Sequence, residues 1–150
     1  MAPIQEMLRG NYADPSIIRV GGDYYMTHSS YGYVPGLLIW HSRDLTHWEV
    51  VSAALMKHAG NVWAPDFVHH GGRYYIYYPA DGSNWVVHAD SPLGPWSDPV
   101  HLPVKGIDPG HVVDRDGARY LYMSSGDWVR LGEDGLSVCS APVHAYDGWE

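Results

Sequence analysis

At 150 residues the chain has the length of one ordinary domain, enough to bury a core without disulfides or a structural metal, and two full domains are not expected. Charged residues make up only 17% against 45% hydrophobic, which excludes a disordered chain. Nine Lys and Arg face 17 Asp and Glu, a formal charge of -8, so a phosphate-tracking surface is not expected and nucleic acid is a poor partner.

The first nine residues lack the apolar stretch of a signal peptide, and no apolar run of about 18 residues follows that could span a membrane. A cytoplasmic chain is expected; a secreted form already relieved of its signal fits the same residues. Cys139, the single cysteine, excludes an internal disulfide or a zinc site built on thiolate pairs, and reads as a small filler. Twelve Tyr and seven Trp against one Phe give large rings with a polar edge, which suits strands and a wet, ring-lined cleft.

One segment is written three times. The copies are Asp14-Pro-Ser-Ile-Ile-Arg-Val-Gly-Gly-Asp-Tyr-Tyr25, Ala64-Pro-Asp-Phe-Val-His-His-Gly-Gly-Arg-Tyr-Tyr75 and Asp108-Pro-Gly-His-Val-Val-Asp-Arg-Asp-Gly-Ala-Arg-Tyr-Leu-Tyr122. Each is an apolar run, a Gly or Asp-Gly turn and a Tyr-rich alternating run, the pattern of a two-stranded hairpin. Third strands are predicted at residues 37–42, 85–89 and 128–131, and fourth strands at 49–52, 99–102 and 141–145. The one helical element expected is a turn near residues 53–58.

The prolines that open the copies stand at 15, 65 and 109, intervals of 50 and 44 residues, which is the period of a propeller blade. A sandwich has similar strands but requires no such repeat. The expected fold is therefore all-β: three four-stranded antiparallel blades at about residues 10–55, 60–103 and 104–146. Propellers close with about four to eight blades, so three leave two apolar faces open. Residues 146–150 read as a connector into a further blade, and completion by self-association or by a second chain is the other expectation.

In a propeller the first strand of each blade lines the central channel, so Asp14, Ala64 and Asp108 converge at one mouth. The following proline is expected to hold each in extended geometry. Two carboxylates facing one hollow suit acid–base work on a neutral substrate. Each Asp serving only as a turn cap fits the spacing equally well.

Tyr12-Ala-Asp-Pro-Ser16, Trp63-Ala-Pro-Asp66, Gly106-Ile-Asp-Pro-Gly110 and Pro35-Gly-Leu-Leu-Ile-Trp-His-Ser-Arg-Asp-Leu-Thr-His-Trp48 resemble glycoside hydrolase family 43, in particular its bacterial β-xylosidase-like and α-L-arabinofuranosidase-like members. The resemblance covers essentially the whole chain and the first three blades of that family's five-bladed propeller. It implies hydrolysis of xylosidic or arabinofuranosidic bonds with inversion, on an oligosaccharide substrate; no cofactor is expected on these residues, and the axial metal that some members hold uses later blades. Asp14 matches the general base. Asp108 matches the carboxylate that orients the acid and, buried beside it, raises the acid's pKa. The acid itself is a Glu that opens the fourth blade, and Glu150 does not match its motif.

Trp63 matches a family position beside the sugar and is the candidate platform. His28, Ser30 and His111 are candidates to bond sugar hydroxyls, with Ser29, Ser124 and Ser125 also within reach of the channel; structural roles are the alternative for each. His69 and His70 read as solvent-exposed. Trp40, Trp48 and Trp96 read as packing between blades. Of the Tyr pairs 24-25, 74-75 and 77-78, half are expected between blades and half facing outward. No set of His and carboxylates has metal-ligand spacing.

Overall fold

The computed structural model describes residues 8–147; the first seven residues and the end of the predicted connector, Glu150 included, lie outside it. Twelve strands form three separate four-stranded antiparallel sheets. The first comprises β1 (Ser16–Val20), β2 (Asp23–Thr27), β3 (Gly36–Ser42) and β4 (Glu49–Leu55). The second comprises β5 (Asp66–His70), β6 (Arg73–Ala80), β7 (Ser83–Ala89) and β8 (Val100–Leu102). The third comprises β9 (Gly110–Val113), β10 (Arg119–Tyr122), β11 (Asp127–Arg130) and β12 (Val143–His144). Within each sheet neighbours in sequence are neighbours in space, the meander of a propeller blade.

Residues 53–55, expected in a helical turn, instead extend β4, where Ala53 pairs with Leu38 and Leu55 with Gly36. Ladder bonds to β3 outweigh a turn whose small apolar residues carry no strong local signal. No helix, and so none long and apolar enough to cross a membrane, occurs among the described residues.

The core lies between blades. Alternation along β6 sends Tyr74, Ile76 and Tyr78 against blade one, where they meet Leu37, Ile39, Ala54 and Leu55. Tyr75 and Tyr77 point the other way and pack with Val104, Leu121, Met123 and Val129 of blade three and its approach. All four tyrosines are therefore buried, rather than half facing outward, because blade two is covered on both faces. Trp96 packs between blades and points its Nε1 at Ser52 Oγ, 3.4 Å away. Trp40 lies edge-on to Tyr12, and Trp48 donates to Leu45 O within its own loop at 3.1 Å.

The inner strands are joined by a repeated side-chain device. Ser16 Oγ accepts the N–H of Phe67 at 2.9 Å, and Asp66, at the same place in the next copy, accepts the N–H of His111 at 2.7 Å. The third residue of each of the first two repeats thus satisfies a backbone donor of the following blade, a bond worth about 0.5–1.5 kcal/mol.

Candidate active site

Asp14, Ala64 and Asp108 each stand two residues before the first strand of a sheet. Asp14 and Asp108 stand at φ +53° and +54°, in the left-handed region, while Ala64 does not. This corrects the expectation of extended geometry before proline. A non-glycine residue held there costs on the order of 1–3 kcal/mol, and Asp tolerates it better than most. Flanking bonds impose it: Ser29 donates its N–H to Ala13 O at 3.0 Å, and Ser124 donates its N–H to Ile107 O at the same distance. The strain follows the carboxylates, since proline succeeds all three residues.

The two carboxylates differ in their surroundings. Ser29, buried after the end of β2, donates its hydroxyl to Asp14 Oδ2 at 2.7 Å. Ser124, its counterpart in blade three, turns its hydroxyl to Ile107 O at 3.2 Å. Asp108 has no side-chain hydrogen bond among the described residues, and it is exposed rather than buried, as is Ile107 before it, since no described segment covers this turn. Ser125 bonds Asp127 instead, at 3.0 Å.

Ser30, not Ser29, is the serine that the sequence favoured for substrate contact. The structure buries Ser30, with its Oγ unpartnered and so close to Gly36 that a Cβ added there would lie 2.9 Å from it. Adjacent residues at a strand end point to opposite sides, so only one of the pair reaches Asp14. His28 is buried as well. Its Nδ1 donates to Ser29 O at 2.7 Å, and its ring sits against Tyr12 and Trp40, a packing role in place of an open sugar contact.

His111 is taken up by the interface of blades two and three. Its Nε2 accepts from Arg119 Nε at 2.9 Å, and its ring stacks on Tyr77 at 5.4 Å with planes 6° apart. Arg119, buried at 2% exposure, also donates to Tyr77 OH at 3.0 Å and to Glu133 O at 3.2 Å, and lies 4.4 Å over the Tyr75 ring. Burial and the nearby guanidinium push His111 down to about 4, so the ring is neutral and able to accept. Burial also raises the Asp66 carboxyl to about 6 despite the His111 N–H. His70, half-buried rather than exposed, has its ring 5.9 Å from that of His111.

Trp63 does stand open, 43% exposed. Its N–H donates to Pro79 O at 3.2 Å, and Val62 before it is bridged to Tyr31 in blade one. The ring borders a cleft of about 250 Å³ whose far wall is Gly106 and Ile107, the residues leading to Asp108. The carboxylate that lines this cleft is Asp81, and neither Asp14 nor Asp108 is among its lining residues; an exposed indole at such a cleft is equipped to cover the C–H face of a hydroxylated ring. No group of three or more His, Cys, Asp or Glu able to hold a metal occurs among the described residues.

Three successive four-stranded meander sheets packed side by side are blades of a β-propeller. The family model of glycosyl hydrolases family 43 matches residues 5–150, and the chain belongs to that family. It is 39% identical over 134 residues to xylosidase/arabinosidase 43B of Humicola insolens, and 38% identical over 131 residues to a non-reducing end α-L-arabinofuranosidase of Bacteroides ovatus. Each alignment takes in 77% of this chain and 25% of the relative, so the chain spans about a quarter of the length of the curated proteins it matches. Among solved structures, xylan β-1,4-xylosidase from Bacillus halodurans superposes with a TM-score of 0.83 at 32% identity, covering 96% of this chain and 34% of the other. The BlXynB protein of Bacillus licheniformis gives 0.82 at 32% identity, over 93% of this chain and 32% of that one. The three sheets are thus three blades of a five-bladed propeller.

Proposed function

We propose that the chain carries the base-bearing part of an inverting glycoside hydrolase acting on xylosidic or arabinofuranosidic bonds of plant-type oligosaccharides. The observation that carries this reading is the left-handed backbone shared by Asp14 and Asp108 and absent from Ala64, which holds the same place in the second repeat. Asp14, with Oδ2 tied to Ser29, has Oδ1 to draw a proton from the attacking water, while Asp108 orients the acid and Trp63 backs the sugar. The leaving-group acid comes from a blade outside these 150 residues, and an inverting pair stands about 6.5–9.5 Å apart to admit that water.

The test is hydrolysis of aryl β-xyloside and aryl α-L-arabinofuranoside by the polypeptide that carries the complete propeller. Asp14→Asn is expected to lower turnover by about 10² to 10⁴, and the first-formed sugar to have inverted anomeric configuration by NMR. Undiminished turnover in Asp14→Asn overturns the assignment. A second reading, a sugar-binding propeller without turnover, is favoured by the open Trp63 beside its cleft. Saturable binding of xylo-oligosaccharides with no hydrolysis by that polypeptide establishes it in place of the first.

A further inference from the structure

Resting on the reading of Asp108 as the residue that orients the acid, we infer that Asn84 is the positioning residue of Asp108, acting through the connector that leads into blade three. Asn84 lies on β7, opposite Leu102 at the end of β8, where the chain leaves blade two. It is fully buried. Its side-chain amide donates two bonds, to Val104 O and to Gly106 O, each 3.1 Å, and its own N–H donates to Val104 O at 3.2 Å. Two residues past Gly106 stands Asp108.

The connector is therefore clamped from both sides. Blade two holds the carbonyls of Val104 and Gly106 through Asn84; blade three holds the carbonyl of Ile107 through the N–H and hydroxyl of Ser124. Gly106 itself, at φ +114°, leaves no room for a Cβ, which would fall 2.7 Å from Met123 Cγ. A backbone held at positive φ relaxes unless its neighbours over-determine it, and these bonds flank Asp108 on its N-terminal side.

The identity of the residue fits this task better than it fits packing. A neutral side chain with two donors on one nitrogen is found only in Asn and Gln. Here both donors are used and Oδ1 is left buried without a partner. A leucine would fill the same space without the unpaired Oδ1 but would leave the Gly106 carbonyl without its donor, so what the asparagine adds over an apolar residue is its hold on the connector.

The experiment compares Asn84→Leu, Asn84→Ser and Asp108→Asn in the polypeptide with the complete propeller, with unfolding curves on each. Asp108→Asn sets the reference: loss of its charge moves the alkaline limb of the kcat–pH profile to lower pH. Asn84→Leu is expected to lower kcat about 10- to 100-fold, the range for a displaced catalytic group, with KM within about twofold. Its alkaline limb moves in the same direction as in Asp108→Asn, and the double variant shows no further displacement. Asn84→Ser, which keeps one donor, falls between and serves if the leucine variant does not fold. A limb that moves in Asp108→Asn but stays in place in folded Asn84 variants overturns the inference alone. A limb unmoved in Asp108→Asn overturns the reading of Asp108, and the inference with it.

Discussion

The hydroxyl of Ser29 and the Oδ2 atom of Asp14 are 2.7 Å apart, joining the end of the second strand of blade one to the residue that opens its first. Ser29 is buried and its N–H is already committed to Ala13 O, so the hydroxyl has little freedom and fixes the carboxylate plane. Ser29→Ala is expected to lower kcat about tenfold or more while changing stability by about 1 kcal/mol. Steady-state kinetics with an aryl glycoside, paired with thermal unfolding, checks this; an unchanged kcat means that Asp14 does not depend on Ser29.

Asp66 and His111 oppose one another in pH dependence. The Asp66 carboxyl, raised to about 6, binds a proton in the folded state that the unfolded chain has released above about 4, so its contribution weakens as pH rises through that window. His111, lowered to about 4, behaves the other way: its contribution is present above the unfolded value near 6.5 and is lost as pH falls toward 4. Asp66→Asn keeps an acceptor for the His111 N–H and removes the desolvated charge. The variant is expected to be about 1–3 kcal/mol more stable at pH 7, with the gain vanishing near pH 4. Urea unfolding at both pH values measures it.

Gly106 is confined by Met123. With φ at +114° and a Cβ position 2.7 Å from Met123 Cγ, Gly106→Ala must shift backbone or side chain, at a cost of about 1–3 kcal/mol. The displacement falls two residues before Asp108. A Tm lowered together with kcat is expected, whereas a native Tm would show that Met123 moves aside freely.

Trp63 offers the reverse separation of effects. Its ring is largely outside the core, so Trp63→Ala is expected to change stability by less than about 1 kcal/mol. Loss of the ring from the cleft is expected to raise KM roughly tenfold, equivalent to about 1.4 kcal/mol of binding. Sugar titration by intrinsic fluorescence, referenced to a Trp48→Phe control, checks it.

Much of this molecule is written in its periodicity. The recurrence of Pro15, Pro65 and Pro109, each followed by a glycine-turn hairpin, specified twelve strands in three sheets, because a two-residue alternation and a tight turn are local properties of the chain. The motif residues Asp14, Ala64 and Asp108 were legible for the same reason, each two residues before the first strand of its sheet. Local chemistry also misled in places: proline after Asp14 and Asp108 argued for extended backbone, and the apolar run at 53–55 argued for a turn, where hydrogen bonds to distant segments prevail.

What only the tertiary structure decided is which neighbour each side chain meets. Nothing local to Ser29 and Ser30 says which of them turns to Asp14, since that depends on where the strand ends relative to a connector 15 residues away. His111 and Arg119 become an interface pair only once blades two and three close over Tyr77. Asn84 looks like an ordinary strand residue until the chain returns, 20 and 22 residues later, to place two carbonyls against its amide. Strand and turn are set by sterics within a few residues of sequence, whereas burial, pairing and pKa are set by packing between segments far apart in the chain.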